Sequence, residues 1–204
     1  MKHFMLTLAL CCGLFANQAW ADATPEDAQT LVKETTDAML DALTAEKNTI
    51  KSNPERVYAL VDKIVLPHFD FERMSRFVLG QNWAQATPAQ QGKFVQEFRR
   101  LLVRTYATAL VETAGQAVEI SYLPVREESG ADRVTLQTQV KASGKQPIAL
   151  DYSMYLLNGA WKVYNISAGG VSLVTTYRTE FNNDISSGGM DKLIAKIAAR
   201  NKQK

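Results

Sequence analysis

Cysteine and histidine are nearly missing from this chain of 204 residues, which has two of each. Two cysteines cannot build a disulfide framework, and two histidines cannot anchor a multi-ligand zinc site. Net charge is scarce as well. The 23 lysines and arginines stand against 21 aspartates and glutamates, leaving +2, whereas a general nucleic-acid binder carries a strong basic excess. No Walker A pattern occurs, so nucleotide hydrolysis by that route is excluded. There is no internal repeat, no low-complexity linker, and no apolar run of membrane length after the first two dozen residues. What is present is apolar mass, 46% of the chain, enough for a packed core and too much for a disordered one. Length and mix together fit one domain.

The N-terminus has its own pattern. Lys2 supplies a positive start, Phe4 to Phe15 is an apolar run, and Ala19-Trp20-Ala21 is an A-x-A cleavage signal. These features predict a secretory signal peptide over 1–21, leaving 22–204 as a single domain. A lipid-anchored cysteine is the competing reading. It wants a small residue just before the cysteine, but Leu10 precedes Cys11 and Cys11 precedes Cys12. Both cysteines and His3 fall in the leader, so the remaining chain has no cysteine and one histidine, His68. A cysteine-free chain folds without mispairing in an oxidising compartment, and a bacterial periplasm is the expected location.

Helical signals come first along the chain. Thr24-Pro25-Glu26-Asp27 opens a helix with a capping Thr, a proline at the first position and acids matching the dipole. Leu31, Thr35, Ala38, Met39, Ala42 and Leu43 continue it to about Glu46. Asn53-Pro54-Glu55 starts a second helix with Val57, Leu60, Val61 and Ile64 on one face, and Pro67 stops it. Asp70 caps a third that runs to Leu79 and closes at Gly80. Thr87-Pro88-Ala89-Gln90 is a capping box opening a long helix to about Thr113, with Phe94, Phe98, Leu101, Leu102, Thr105, Tyr106, Ala109 and Leu110 along its apolar stripe.

From Val118 the period changes to two. Val118-Ile120-Tyr122, Val134-Leu136-Thr138-Val140 and Ile148-Leu150-Tyr152-Met154-Leu156 alternate, and Asn158-Gly159 marks a hairpin into Trp161–Ser167. A helix is expected from Val171 to Asn182, a break at Gly188-Gly189, and a last helix from Asp191 to about Ala199. Helices, then an antiparallel meander, then helices predict an α+β fold with helices packed on one face of a curved sheet.

Catalytic chemistry is hard to find. His68 lies two residues before Asp70, either an acid–base pair or a structural turn. Gly170-Val171-Ser172-Leu173-Val174 begins like a nucleophile elbow but lacks the closing glycine and a downstream histidine. An isomerase cavity would need a carboxylate beside a phenol. Asp151 is close to Tyr152 and Tyr155, but alternation sends it to the side of Tyr155, the expected outer face. No metal ligands, no cofactor and no catalytic residues are expected. Arg99, Arg100 and Arg104, Arg73 and Arg76, and Lys192, Lys196 and Arg200 recur on polar helix flanks. They are either a solvated face or a contact for anionic lipid heads or an acidic partner.

Leu66-Pro67-His68-Phe69-Asp70-Phe71-Glu72-Arg73-Met74-Ser75, followed by Val78-Leu79-Gly80-Gln81-Asn82-Trp83, closely resembles the MlaC family of periplasmic phospholipid-transport proteins, also known as toluene-tolerance auxiliary proteins. The likeness runs on through Ala86-Thr87-Pro88-Ala89-Gln90, Phe94-Val95-Gln96-Glu97-Phe98 and Leu101-Leu102-Val103-Arg104-Thr105-Tyr106. It resumes at Gly170-Val171-Ser172-Leu173-Val174, Tyr177-Arg178, Glu180-Phe181 and Gly188-Gly189-Met190-Asp191-Lys192-Leu193-Ile194. Between about Val118 and Ile166 it is one of pattern more than of residues.

The resemblance implies a nuclear-transport-factor-like roll with extra helices, enclosing an apolar pocket. It implies a carrier of phospholipid between the outer membrane and an inner-membrane ABC transporter, maintaining outer-membrane lipid asymmetry. Expected partners are the phospholipid itself, an outer-membrane lipoprotein complex and the substrate-capturing component of the transporter. An apolar helix stripe facing an apolar sheet face would line such a pocket with Phe98, Leu102, Tyr106, Leu136, Val140, Leu150, Tyr152, Met154 and Val163. Few polar groups are needed there. A cavity-bearing isomerase or hydrolase, or a ligand-free adaptor with a solid core, are the competing expectations for the same roll.

Overall fold

The computed structural model describes residues 23–127, 132–144 and 146–202, and the expected signal peptide lies outside them. Among the described residues seven α-helices and six strands follow one another, helices first, then the strands, then a helix, as expected in outline. Helix α1 (Pro25–Ala45) begins where Thr24 and Asp27 cap each other's backbone N–H groups, at 3.3 and 2.7 Å. Short α2 (Lys47–Ser52) and α3 (Arg56–Ile64) lead to a 3-10 turn at Leu66–His68. Next come α4 (Phe71–Leu79), α5 (Gln81–Gln85) and the long α6 (Pro88–Thr113), whose Thr87–Gln90 capping box is closed in both directions.

Six strands form one sheet: β1 (Val118–Tyr122), β2 (Arg126–Glu127), β3 (Arg133–Ala142), β4 (Ile148–Leu157), β5 (Ala160–Ala168) and β6 (Val171–Ser172). The antiparallel order is β1-β3-β4-β5-β6, with β2 also pairing on β3. The fold is α+β, helices packed against a curved antiparallel sheet. Between β4 and β5 the register shifts: Ser153 pairs with Asn165, whereas Met154 pairs with Val163, so Tyr164 is an extra residue. This bulge bends the strand and resets its alternation. Val163 and Ile166 therefore both reach the inner face.

The helix expected from Val171 starts two residues later, because Val171 and Ser172 pair with Ala168 and Ser167 as β6. Ser172 Oγ then accepts from Thr175 N at 3.2 Å, opening α7 (Leu173–Lys202). Helix α7 breaks at Gly189, where φ is 79° and ψ 174°. Its second half returns along the first, since Lys196 binds Asp184 at 2.8 Å and Arg200 binds Glu180 at 2.7 Å.

Three apolar clusters hold the molecule. One joins α4, the first half of α6 and α7 through Phe94, Phe98, Tyr177 and Phe181. The second joins α1, α2, α3 and the second half of α6 through Met39, Leu43, Ile50 and Val57. The third seats the start of α1 on the sheet through Ala28, Val32, Val134, Leu136 and Met154. Phe69 belongs to the first and third, and Phe71 to the first and second. These rings mark where the three clusters meet without fully closing.

Candidate functional site

An apolar cavity occupies that junction, in two lobes. Successive residues of a strand face opposite ways, so the inner face of β1, β3 and β4 presents Val118 and Ile120, Val140, then Leu150, Tyr152 and Met154. Helix α1 faces them with two rows at i, i+4 spacing, Leu31-Thr35-Met39 and Val32-Thr36-Leu40. Together they enclose the first lobe, about 260 Å³. The second lobe, about 300 Å³, lies between α6 and the β4–β5 part of the sheet, against Leu102, Val103, Tyr106 and Ala107. Val65, Phe69, Leu110, Leu150 and Ile166 border both and form the partition.

Segment 65–70 supplies two of those partition residues and is tied to the edge of β5. Asp70 N donates to Val163 O at 2.9 Å, Phe69 bridges Val163, and Lys162 Nζ donates to Pro67 O at 2.6 Å. The Tyr155 hydroxyl donates to Asp70, whose other carboxylate oxygen caps α4 through Arg73 N at 2.8 Å. Thus Asp70 pairs with a tyrosine and a helix end rather than with His68.

A burial gradient shows which end is the mouth. Met154 is 0% exposed and Val163 3% at the base, while Ile148 at 54% and Val171 at 61% stand at the rim. Polar groups are few. Burial first, and then the neighbouring Tyr122, push the Tyr152 phenol up to about 12, so it stays neutral. Tyr106 is also pushed up to about 12, by burial and by the Tyr177 hydroxyl beside it, though part of its ring reaches solvent. Burial, followed by the charge of Lys162, lowers the His68 pKa from its ordinary value.

Of the lining residues expected from the sequence, Val140, Leu150, Tyr152, Met154 and Val163 border the first lobe. Leu102, Tyr106 and again Leu150 border the second. Phe98 and Leu136 border neither lobe. Phe98 is wedged against Tyr177 and Phe181, with ring centroids 5.3 and 5.9 Å away, and Leu136 sits in the cluster under the start of α1. The sequence reading omitted the α1 wall and segment 65–70. The i, i+4 rows of α1 were a visible signal, but helical spacing does not separate a cavity wall from a packed face.

Asp151 faces away from the cavity, where Gln137 Nε2 approaches it at 3.4 Å. Its outward neighbour Tyr155 is nonetheless buried, because α4 covers that part of the outer face and lays the Arg73 guanidinium 3.9 Å from its ring. Many of the basic residues on the helix flanks serve the chain itself. Arg99 pairs with Asp62 at 2.7 Å, Arg100 with Glu97 at 3.0 Å and Arg76 with Glu72 at 2.6 Å. Among the described residues no His, Cys, Asp and Glu group could hold a metal, and no helix is long and apolar enough to cross a membrane.

Residues 33–199 match the family model described as MlaC protein. The toluene tolerance protein ttg2D of Pseudomonas putida is 28% identical over 84% of this chain and 77% of its own length. The intermembrane phospholipid transport system binding protein MlaC of Haemophilus influenzae is 26% identical over 95% and 89%. A solved structure of a phospholipid-binding protein from Ralstonia solanacearum in complex with a phospholipid, at a resolution of 1.53 Å, superposes with a TM-score of 0.77. It is 35% identical, covering 85% of this chain and 96% of the other.

Proposed function

This chain belongs to the MlaC family, and from that premise we propose that it is a periplasmic carrier holding one phospholipid, an acyl chain in each lobe. The observation that carries this reading is the two-lobed apolar cavity with a solvent-facing rim. Transfer of an acyl chain out of water is worth about 0.8 kcal/mol per methylene, so a dozen buried methylenes hold on the order of 10 kcal/mol. A covered apolar path is what lowers that barrier between membranes. The head group stays at the rim, because burying a phosphate without paired cations is costly.

The carrier works between the outer membrane and an inner-membrane ABC transporter, which it meets through the transporter's substrate-capturing component. At the other end it meets an outer-membrane lipoprotein complex, and the exchange maintains outer-membrane lipid asymmetry. The chain does no chemistry on its cargo. Lacking a nucleotide motif of the Walker A kind, it exchanges passively, and direction is set by the partners' relative affinities or by the transporter's ATPase.

Native mass spectrometry of protein isolated from periplasm, with extraction and identification of bound lipid, tests the reading. Phospholipid at near one-to-one stoichiometry is expected. Leu102→Trp, which fills the second lobe, should lower bound lipid several-fold while leaving the circular dichroism spectrum unchanged. In a solid core the same change would destabilise by about 1–3 kcal/mol. Protein that is lipid-free and takes no phospholipid from vesicles would overturn the carrier and favour the adaptor. Turnover abolished by replacing one polar cavity residue would favour an enzyme.

A further inference from the structure

A separate cavity of about 470 Å³ shares no lining residue with either lobe. One wall is α7, where Arg178, Asn182 and Ser186 recur at i, i+4 spacing and so share a face. The other is the turn from α4 into α5, with Gln81, Asn82 and Gln85. Arg178 is the one charged residue in the lining.

Two bonds tie these walls together. Arg178 Nε donates to Phe77 O at 2.7 Å, near the end of α4, and Asn82 Nδ2 donates to Asn182 Oδ1 at 2.9 Å. The first bond fixes the direction of the guanidinium and uses one of its five protons. Its two Nη groups have no hydrogen-bond or ion-pair partner among the described residues. That sets Arg178 apart. Arg56, Arg76, Arg99, Arg100 and Arg200 each meet a carboxylate within 3.0 Å, whereas Arg178, although half-buried, meets only a carbonyl. The acids nearest to it along α7 are engaged elsewhere, Glu180 by Arg200 and Asp184 by Lys196. The second bond leaves one carbonyl and one NH2 over, whichever of the two amides donates.

The chemistry of the lining selects the occupant. Small-molecule sites are mostly apolar, and this lining is mostly polar side chains. The end-on pair of Nη groups matches the two oxygens of a carboxylate. A single positive charge is neutralised by one carboxylate, whereas a phosphate carrying about −1.5 to −2 exceeds it. The amide groups left over on Asn82 and Asn182 are complementary to the C=O and N–H of a peptide. A free carboxylate brings only the first of these features. An acidic residue in a polypeptide brings both.

We propose that this cavity docks an aspartate or glutamate side chain carried on an exposed segment of a partner protein, with Arg178 holding the carboxylate and Asn82 and Asn182 the flanking peptide groups. The inference goes beyond the carrier reading and does not depend on it, since this site and the lobes have no residue in common.

The test is a titration of the nitrogen-15-labelled protein, as isolated, followed by nuclear magnetic resonance. The probes are acetyl-Gly-Asp-Gly-amide and its neutral counterpart acetyl-Gly-Asn-Gly-amide. Salt is held at about 150 mM, where attraction beyond about 8 Å is screened. The aspartyl peptide should saturably shift the Arg178 Nε–H signal and the side-chain NH2 signals of Asn82 and Asn182. The asparaginyl peptide should bind about tenfold more weakly or worse, the range of a hydrogen bond to a charged group. Asn182→Asp still accepts from Asn82 but sets a carboxylate one helical turn from Arg178. It should weaken the aspartyl peptide by a similar factor, with melting temperature and bound lipid unchanged. Arg178→Gln should abolish the preference for the acidic peptide, and its circular dichroism spectrum checks that the end of α4 holds. Equal binding of the two peptides, or no shift at the three named side chains, overturns the proposal. Acetate or inorganic phosphate binding as tightly as the aspartyl peptide would also overturn it, in favour of a site for a free anion.

Discussion

Asp70 shows how much one side chain organises here. It caps α4, receives the Tyr155 hydroxyl, and sends its backbone N–H to β5, fastening the segment that carries the partition residue Phe69. The same Tyr155 ring lies under Arg73, whose guanidinium is also 5.2 Å from the Tyr164 ring and 5.5 Å from that of Phe77. Asp70→Ala removes the cap and orphans a buried phenol, two losses worth about 1–3 kcal/mol together. Urea denaturation should show that drop, and Asp70→Asn, whose one amide oxygen still accepts from Arg73 N while its NH2 faces and donates to the Tyr155 oxygen, should recover part of it. His68 gives a pH dependence. Its folded pKa is lowered by burial and then by Lys162, so the unfolded chain takes the proton more readily. The contribution is complete above about 6.5 and is lost as pH falls through the folded value. Melting temperature should therefore fall less steeply from about pH 7.5 to about pH 5 in His68→Gln than in the wild type.

At the scale of elements, what could be read from the sequence was whatever is written locally. The caps of α1, α4 and α6 rest on residues three apart, and their starts agree with the structure to the residue. Elements of two to six residues escaped: α2, α5, β2 and β6 are too short to show a period. The bulge at Tyr164 escaped too, since it arises from pairing with β4. Glycine offers a paired test of this local writing. Gly92 lies within α6 with no atom near an added Cβ, so Gly92→Ala should stabilise by roughly 0.5–1 kcal/mol. At Gly189 space is also free, but φ is +79°. Gly189→Ala should cost about 1–3 kcal/mol through backbone strain alone. Thermal melts of the two variants should shift in opposite directions.

For the whole molecule, the location of the cavity was the least legible feature, because it depends on which neighbours fail to arrive. Phe98 and Leu102 belong to one helical stripe, yet the returning halves of α7 fill the space beside Phe98, while nothing fills the space beside Leu102 in the second lobe. Leu136 and Val140 belong to one strand face, yet the start of α1 presses on the first and stands off from the second. Periodicity assigns a residue to a face, and tertiary arrangement alone decides whether that face is in contact.

The partition between the lobes is made of five side chains drawn from segment 65–70, α6, β4 and β5. Two rooms divided only by side chains are not let separately. The first hydrocarbon tail to enter must order those side chains against itself, and a second then finds the wall already set. Single-tailed lysophospholipid should therefore bind as a cooperative pair, with the second molecule tighter than the first in a calorimetric titration. A two-tailed lipid meets the ordering cost only once.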